Sequence, residues 1–395
     1  MSATKSTLRT RAFKASRQIR SQRRNISRSS QWQAPVTGAA DAESQSARAY
    51  CTNLVSTYDR PSHILSAFIP RQAQTFYLAL RALNVSLSMI PDTTSSHTIG
   101  LMRLQFWRDT ITKTLSGSPP KEPVAILLAN AIEDLSTRTD GRARLSKGWF
   151  LRMINAREQT LTNTPFPDLA ALESYAENTY STLLYLTLSS LPLTSVTVDH
   201  VASHIGKAAG ISAVLRGLPL VAFPGPAKHH TNQSALLSSG GAAESKHGAI
   251  TLPLDIMSQS GVIEEEVFRK GAEAAGLKDA VFAVATRASD HLITARQMLK
   301  NLRAGEDVGH EFEHEGDEGH EYTTTTTEKE QGVSPYEKQL AEVERGFGVF
   351  MPAVSTQMWL DKLQSYDFDI FNPKLLRSDW TMPWRAYYAH SKKTF

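Results

Sequence analysis

The sequence predicts an all-α fold, and three observations carry that prediction. Beyond about residue 50 the apolar residues return with a helical period through almost the whole chain, and strand-like alternation is scarce. Hydrophobic residues make up 41% and charged residues 21% of the 395 residues, which suits one large domain or two medium ones. The uncharged run 178–198, NTYSTLLYLTLSSLPLTSVTV, is rich in Ser and Thr and is broken by Pro192, so it reads as a buried core helix and not a membrane span.

The first predicted helix covers 76–90, where Phe76, Leu80, Leu83, Leu87 and Ile90 recur at steps of four and three and share one face. Pro91 should end or kink it, because the proline ring removes a donor and clashes with the Leu87 carbonyl. The next, 99–115, repeats the pattern through Ile99, Met102, Phe106 and Ile111. Periodic segments follow at 124–136, 147–161, 169–190, 197–218, 263–275 and 278–302. Within 347–373, Met351, Val354, Met358 and Leu360 to Leu363 predict one last amphipathic helix. Gly206, Ala209, Gly210 and Ala213 predict a close helix–helix contact; the loop-to-helix context of a phosphate loop is absent.

Two stretches interrupt the helices. Residues 222–249 are rich in Gly, Ser, Ala and Pro and predict a disordered surface insertion. Residues 304–335 are acidic, carry five consecutive threonines and predict a second one. His310, His314 and His320 lie there beside Glu311, Glu313 and Asp317, but nothing in such a stretch pre-organises a metal shell, and a solvated insertion is the simpler reading. The tail WTMPWRAYYAHSKKTF sets Trp380, Trp384, Tyr387 and Tyr388 among basic residues. That mix suits a membrane interface. The favoured reading packs the rings on the core with their polar tips wet.

The net charge of +4 conceals an asymmetry. Residues 1–50 hold ten Lys/Arg and two acids, which leaves the remainder at −4. Ahead of Asp41, the first acid, Lys5, Arg9, Arg11, Lys14, Arg17, Arg20, Arg23, Arg24 and Arg28 are spread among Ser, Ala and Thr, with Leu8, Phe13 and Ile19 as a thin apolar stripe. This composition predicts a mitochondrial transit peptide and disordered basic arm over 1–50; a basic tail for RNA or anionic lipid is the competing reading. The folded part, being acidic, has no basic footprint for nucleic acid, and neither a nucleic-acid motif nor zinc spacing is present. Cys51 is the only cysteine, so no intramolecular disulfide forms, as fits a reducing compartment.

Four stretches, YLALRALNVSLSMIPD, IGLMRLQFWRDTI, HIGKAAGISAVLRGLPL and ITLPLDIMSQSGV, follow one another as in the squalene/phytoene synthase family, and the chain resembles that family over most of 65–302. The resemblance implies a single-domain isoprenoid-synthase-type helical bundle around a central cavity, spanning 51–395. The family's enzymes condense two prenyl diphosphates. Magnesium neutralises the departing diphosphate, and hard magnesium takes oxygen ligands, so each cavity wall offers a DxxxD pair. Positions i and i+4 share a helix face, which brings both carboxylates to one ion cluster.

Laid on the first pair, this sequence reads SMIPD: Ser88 holds one acid position and Asp92 the other. The second pair should follow Leu215-Arg216, and there Gly217 and Val221 stand at the acid positions, with Leu220 where a further acid is common. Pro219 should interrupt that helix as well. The small-residue run of the family reads TYSTLL, so Tyr180 and Leu184 put bulk into the cavity, and the acid of the preceding helix falls near Thr160. Asn84, Tyr180 and Arg216 remain as candidates for a residual anion or ligand pocket. Each has a plainer reading: Asp92 as a solvated or capping acid, Arg216 paired with Glu173 or Glu177, Trp107 and Phe106 as core, and His204 as a satisfied core histidine.

The stretches TIGLMRLQFW, YAENTYSTLLYLTL, ASHIGKAAGI and FDIFNP resemble the branch of the family that assists assembly of mitochondrial complex I (NADH dehydrogenase). That implies a non-catalytic protein of the matrix, peripheral to the inner membrane. Complex I subunits or assembly intermediates are the implied partners, with a lipid-like ligand as a further one; no metal, cofactor or nucleic acid is implied. Two rivals stand beside it. One is an active prenyltransferase using displaced acids such as Glu173, Glu177, Asp199 or Asp255. The other is a lipid- or isoprenoid-binding carrier.

Overall fold

The protein's structure, a computed structural model, describes residues 37–94, 96–143, 145–193, 195–224, 248–305 and 335–395. Among these residues there are sixteen α-helices and no β-strand. They are α1 (Thr37–Tyr58), α2 (Arg60–Leu65), α3 (Arg71–Ser88), α4 (Ile90–Thr93), α5 (His97–Leu115), α6 (Pro123–Arg138), α7 (Lys147–Gln159) and α8 (Leu169–Ala176). A π turn over Glu177–Ser181 leads into α9 (Thr182–Ser189), followed by α10 (Val196–Ala222), α11 (Leu254–Ser260), α12 (Glu264–Lys270) and α13 (Leu277–Ala304). The chain closes with α14 (Pro335–Gly346), α15 (Pro352–Ser365) and α16 (Met382–Lys392).

Each periodic segment of the sequence is helical, and local chemistry sets several starts. Asp168 accepts from Ala171 N at 2.7 Å and Glu122 from Ala125 N at 2.8 Å, each satisfying a donor that a helix start leaves open. Pro91 ends α3 at Ser88 as expected and opens the short α4. Helix α10 runs through the centre against α8, α9, α13 and α15, and α1 packs on α3 and α6. By length and composition α10 is the one described helix apolar enough to cross a membrane, yet half of its most apolar window is buried among the other helices. Gly206 and Gly210 bring it against the π turn and α8, so the expected close helix contact is present.

Five expectations change. The arm does not run to residue 50: α1 begins at Thr37, and Ala47 is buried, because this helix covers the apolar faces of α3 and α6. Pro219 does not interrupt α10. Its missing donor costs one bond, but Leu215, Leu218 and Ala222 are buried around it and hold the last turn, where Phe223 N reaches Pro219 O at 3.2 Å. The helix expected near 347–373 is α15, and it is not the last, since α16 follows. The tail rings are not core: Trp380, Trp384, Tyr387 and Tyr388 are exposed, while Met382, Ala386 and Ala389 face inward. Trp107 is core as expected, but Phe106 is 48% exposed. The proposed insertions at 222–249 and 304–335 fall almost wholly outside the described residues, as does the His310, His314 and His320 cluster. The ends of the first meet, with Ala249 N donating to Val221 O at 3.2 Å.

Candidate functional site

Helix α3 carries a polar stripe through an apolar environment. Tyr77, Arg81, Asn84 and Ser88 recur at steps of four, three and four and share one face. The first three are at most 5% exposed. Tyr77 donates to Ser62 O at 3.1 Å and Arg81 reaches Asp59, both at the start of α2, while Asn84 and Ser88 lie toward Arg157 of α7, Tyr180 of the π turn and Gly217 of α10. A cavity of about 230 Å³ lies at this junction, lined by Ser88, Asp92, Arg157, Tyr175, Tyr180, Gly217, Leu220 and Val221 among others. Every position expected from the two acid motifs therefore meets at one cavity.

The hydrogen bonds show how those residues are held. The Ser88 hydroxyl donates to Val85 O at 2.9 Å, within its own helix. Asp92 sits exposed in the first turn of α4. Arg157 donates to Asn84 Oδ1 at 2.9 Å and lies over the rings of Tyr175 and Tyr180 at 5.6 and 6.0 Å. The π turn places Tyr180 among three arginines, since Arg81, Arg157 and Arg216 all feel its phenol. Arg216 does not line the cavity; it stacks over Trp359 at 5.4 Å. Leu184 is core, off the cavity lining.

The charges do not balance. Arg81 has one carboxylate within reach, Asp59 at 3.9 Å. Among the described residues no ion pair engages Arg157 or Arg216, and the Nε of each is buried without a hydrogen-bond partner. Burial pushes the Arg216 guanidinium below its ordinary value and the Tyr175 phenol above its own. Buried charges are normally paired, so this junction is a cationic pocket short of anions.

The acids that would serve a displaced site are occupied elsewhere. Glu173 pairs with Arg287, and Glu177 accepts from Tyr185 at 2.6 Å and Ser203 at 2.8 Å. Neither meets Arg216, contrary to the pairing held open from sequence, because the turn of α10 aims Arg216 at α15. Asp255 accepts from Leu169 N at 3.3 Å, and burial, with Glu342 nearby, pushes Asp199 up to about 7. His204 meets His291, Nδ1 to Nδ1, at 2.9 Å, so it is partnered as expected, but it is half-buried and not core. Sequence reasoning missed Arg81, Arg157 and Tyr175. The signal was present for Arg157: Phe150, Met153 and Ile154 set the buried face of α7, and Arg157 falls in that register.

A helical bundle with a small cavity at the meeting point of two helices defines the class. The squalene/phytoene synthase family model matches residues 55–222 and 241–309, and the chain belongs to the squalene/phytoene synthase family. The fold is similar to that of a dehydrosqualene synthase crystal structure, with a TM-score of 0.60 at 13% identity over 90% of this chain and 99% of that one. Among curated proteins the chain is 32% identical to the NADH dehydrogenase (ubiquinone) complex I, assembly factor 6 of Rattus norvegicus and 30% identical to that of Homo sapiens. Each match covers 88% of this chain and 82% of the relative. Within the family, its branch is that of these assembly factors.

Proposed function

We propose that this protein is a non-catalytic member of the family that acts in the assembly of mitochondrial complex I, at the matrix face of the inner membrane. The observation that carries the non-catalytic part is the chemistry of the cavity wall. Where the family's enzymes need paired acids, Ser88, Gly217 and Val221 stand, with Asp92 alone beside them, and Arg157 lines the same space. Magnesium takes several hard oxygen ligands in a near-octahedral shell. One carboxylate, a hydroxyl committed to Val85 O and a neighbouring guanidinium do not fit that ion. A cavity of about 230 Å³ is also below the roughly 300–1,000 Å³ of ordinary ligand pockets, and two long prenyl chains exceed it.

The assembly role is supported by the relatives, which are complex I assembly factors over most of their length. The acid-poor basic composition ahead of Asp41, which suits a transit peptide, agrees with it, and residues 1–36, which precede α1, are the segment to fuse to a reporter. The deciding experiment deletes the gene: complex I should fall selectively, with sterol and carotenoid synthesis intact. Normal complex I in the deletion strain would refute the role.

A second reading is favoured by the buried arginines. The pocket holds a small anionic ligand without metal, gripped by Arg157 and Tyr180, with Asn84 holding Arg157 from outside the lining. Pyrophosphate should then raise the melting temperature in the presence of a chelator, and Arg157→Met should abolish that rise.

A further inference from the structure

Helix α16 turns Met382, Ala386 and Ala389 inward and Trp384, Tyr387 and Tyr388 outward. Steps of three and four align these rings on one face, and Trp380 precedes them by one turn's worth of chain. Trp380 is 79% exposed, Trp384 71%, Tyr387 66% and Tyr388 64%. Single exposed rings are ordinary; a contiguous aromatic stripe on a helix marks an interaction surface. Its exposed charges are mostly of one sign. Arg377, Arg385 and Lys392 are exposed against one acid of residues 374–395, Asp379, while Lys374 lies over the Tyr366 ring and Lys393 over that of Phe347. The Asp379 carboxylate is turned to its own chain, accepting from the Thr381 amide at 2.8 Å and hydroxyl at 2.7 Å.

The composition selects among partners. Protein interfaces favour Trp, Tyr and Arg but are depleted of Lys. Lys-flanked Trp and Tyr instead match the headgroup level of a bilayer, where the rings bury their bodies and keep their polar tips wet. Cations beside them meet lipid phosphates, so the charge is complementary to an anionic surface and not to a neutral one. We propose that the Trp380–Tyr388 face of α16 docks on an anionic lipid bilayer, with the helix lying in the plane of the interface. The proposal deepens the inner-membrane part of the functional reading by naming the surface that makes the contact.

The test uses the full chain, with vesicles of phosphatidylcholine alone and of phosphatidylcholine mixed with phosphatidylglycerol. The protein should float with the mixed vesicles, bind the neutral ones more than about tenfold more weakly, and detach as salt rises. Replacing Trp380, Trp384, Tyr387 and Tyr388 together by Ser should weaken binding to the mixed vesicles by more than about tenfold. All four are exposed, so the melting temperature should hold. Arg385→Gln with Lys392→Gln should weaken binding to the mixed vesicles only. Equal binding by the four-Ser variant overturns the proposal. So does a dimer, seen by light scattering, that the same variant dissolves, or rings already shielded from acrylamide in the free chain, since another occupant then covers the face. The two readings separate cleanly. A protein that restores complex I in deletion cells yet ignores vesicles overturns the docking face alone. One that binds vesicles and fails to restore complex I overturns the assembly role and leaves the face standing.

Discussion

Gly206 lies so close to Ser181 that a Cβ on the glycine would stand 2.3 Å from the Ser181 α-carbon. The two residues join the central helix α10 to the π turn that carries Tyr180 toward the cavity. The Ser181 hydroxyl reinforces the contact by donating to Ser203 O at 3.0 Å. Backbone, not a flexible side chain, blocks the space, so Gly206→Ala must push two helices apart. It should destabilise the fold by about 1–3 kcal/mol or more, read as a lower melting temperature. At Gly210 the obstacle is Ala176, 2.5 Å from a built Cβ, and Gly210→Glu should abolish folding outright.

Gly217 is the opposite case. A Cβ there meets nothing within 4 Å, and the residue lines the same cavity as Arg157, which no ion pair engages among the described residues. Gly217→Asp should therefore stabilise the protein by supplying a counter-ion for Arg157. Gly217→Ala isolates the gain in helix propensity, roughly 1 kcal/mol at most for an interior glycine. The Asp variant should melt above the Ala variant in low salt. An Asp variant that melts lower would show that the arginine charges are already met.

Catalysis should be absent. Farnesyl or geranylgeranyl diphosphate with magnesium should give no condensed product, and Asp92→Ala should leave complex I assembly largely intact. Product that vanishes in Asp92→Ala would overturn the non-catalytic reading. A lost first-turn acid on the short α4 costs at most about 1 kcal/mol, which a melting curve would register separately.

Asp199 gives a pH dependence. Burial first, and the Glu342 charge second, raise its carboxyl from 3.8 to about 7. The folded protein thus holds a proton that the unfolded chain has released. Stability from this group falls as pH rises from about 4 to 7, and above that the cost is complete. Asp199→Asn removes the cost, so the variant should be more stable than the parent near pH 8, by roughly 1–3 kcal/mol, and nearly equal to it near pH 4. Parallel melting curves at both pH values would contradict the burial of this charge.

Helix positions, the family and the odd residues of both acid motifs were legible in the sequence, because period and motif spacing are local properties of a chain. Phe76, Leu80, Leu83 and Leu87 marked the buried face of α3, and Ser88, Gly217 and Val221 stood out against the pattern around them. Periodicity also put Arg157 in the apolar register of α7. It did not say that Arg81, from α3, and Arg216, from α10, would converge on the same Tyr180, since that depends on how three helices cross. Pro219 shows the same limit: local chemistry predicts a break, and burial of Leu218 and Ala222 against neighbouring helices overrides it. The tail shows it most simply. A 3.6-residue period sorts α16 into a face of Met and Ala and an aromatic face, and either suits a core. Met382, Ala386 and Ala389 were chosen for the core only when α16 came to lie against α15, which left the rings in solvent.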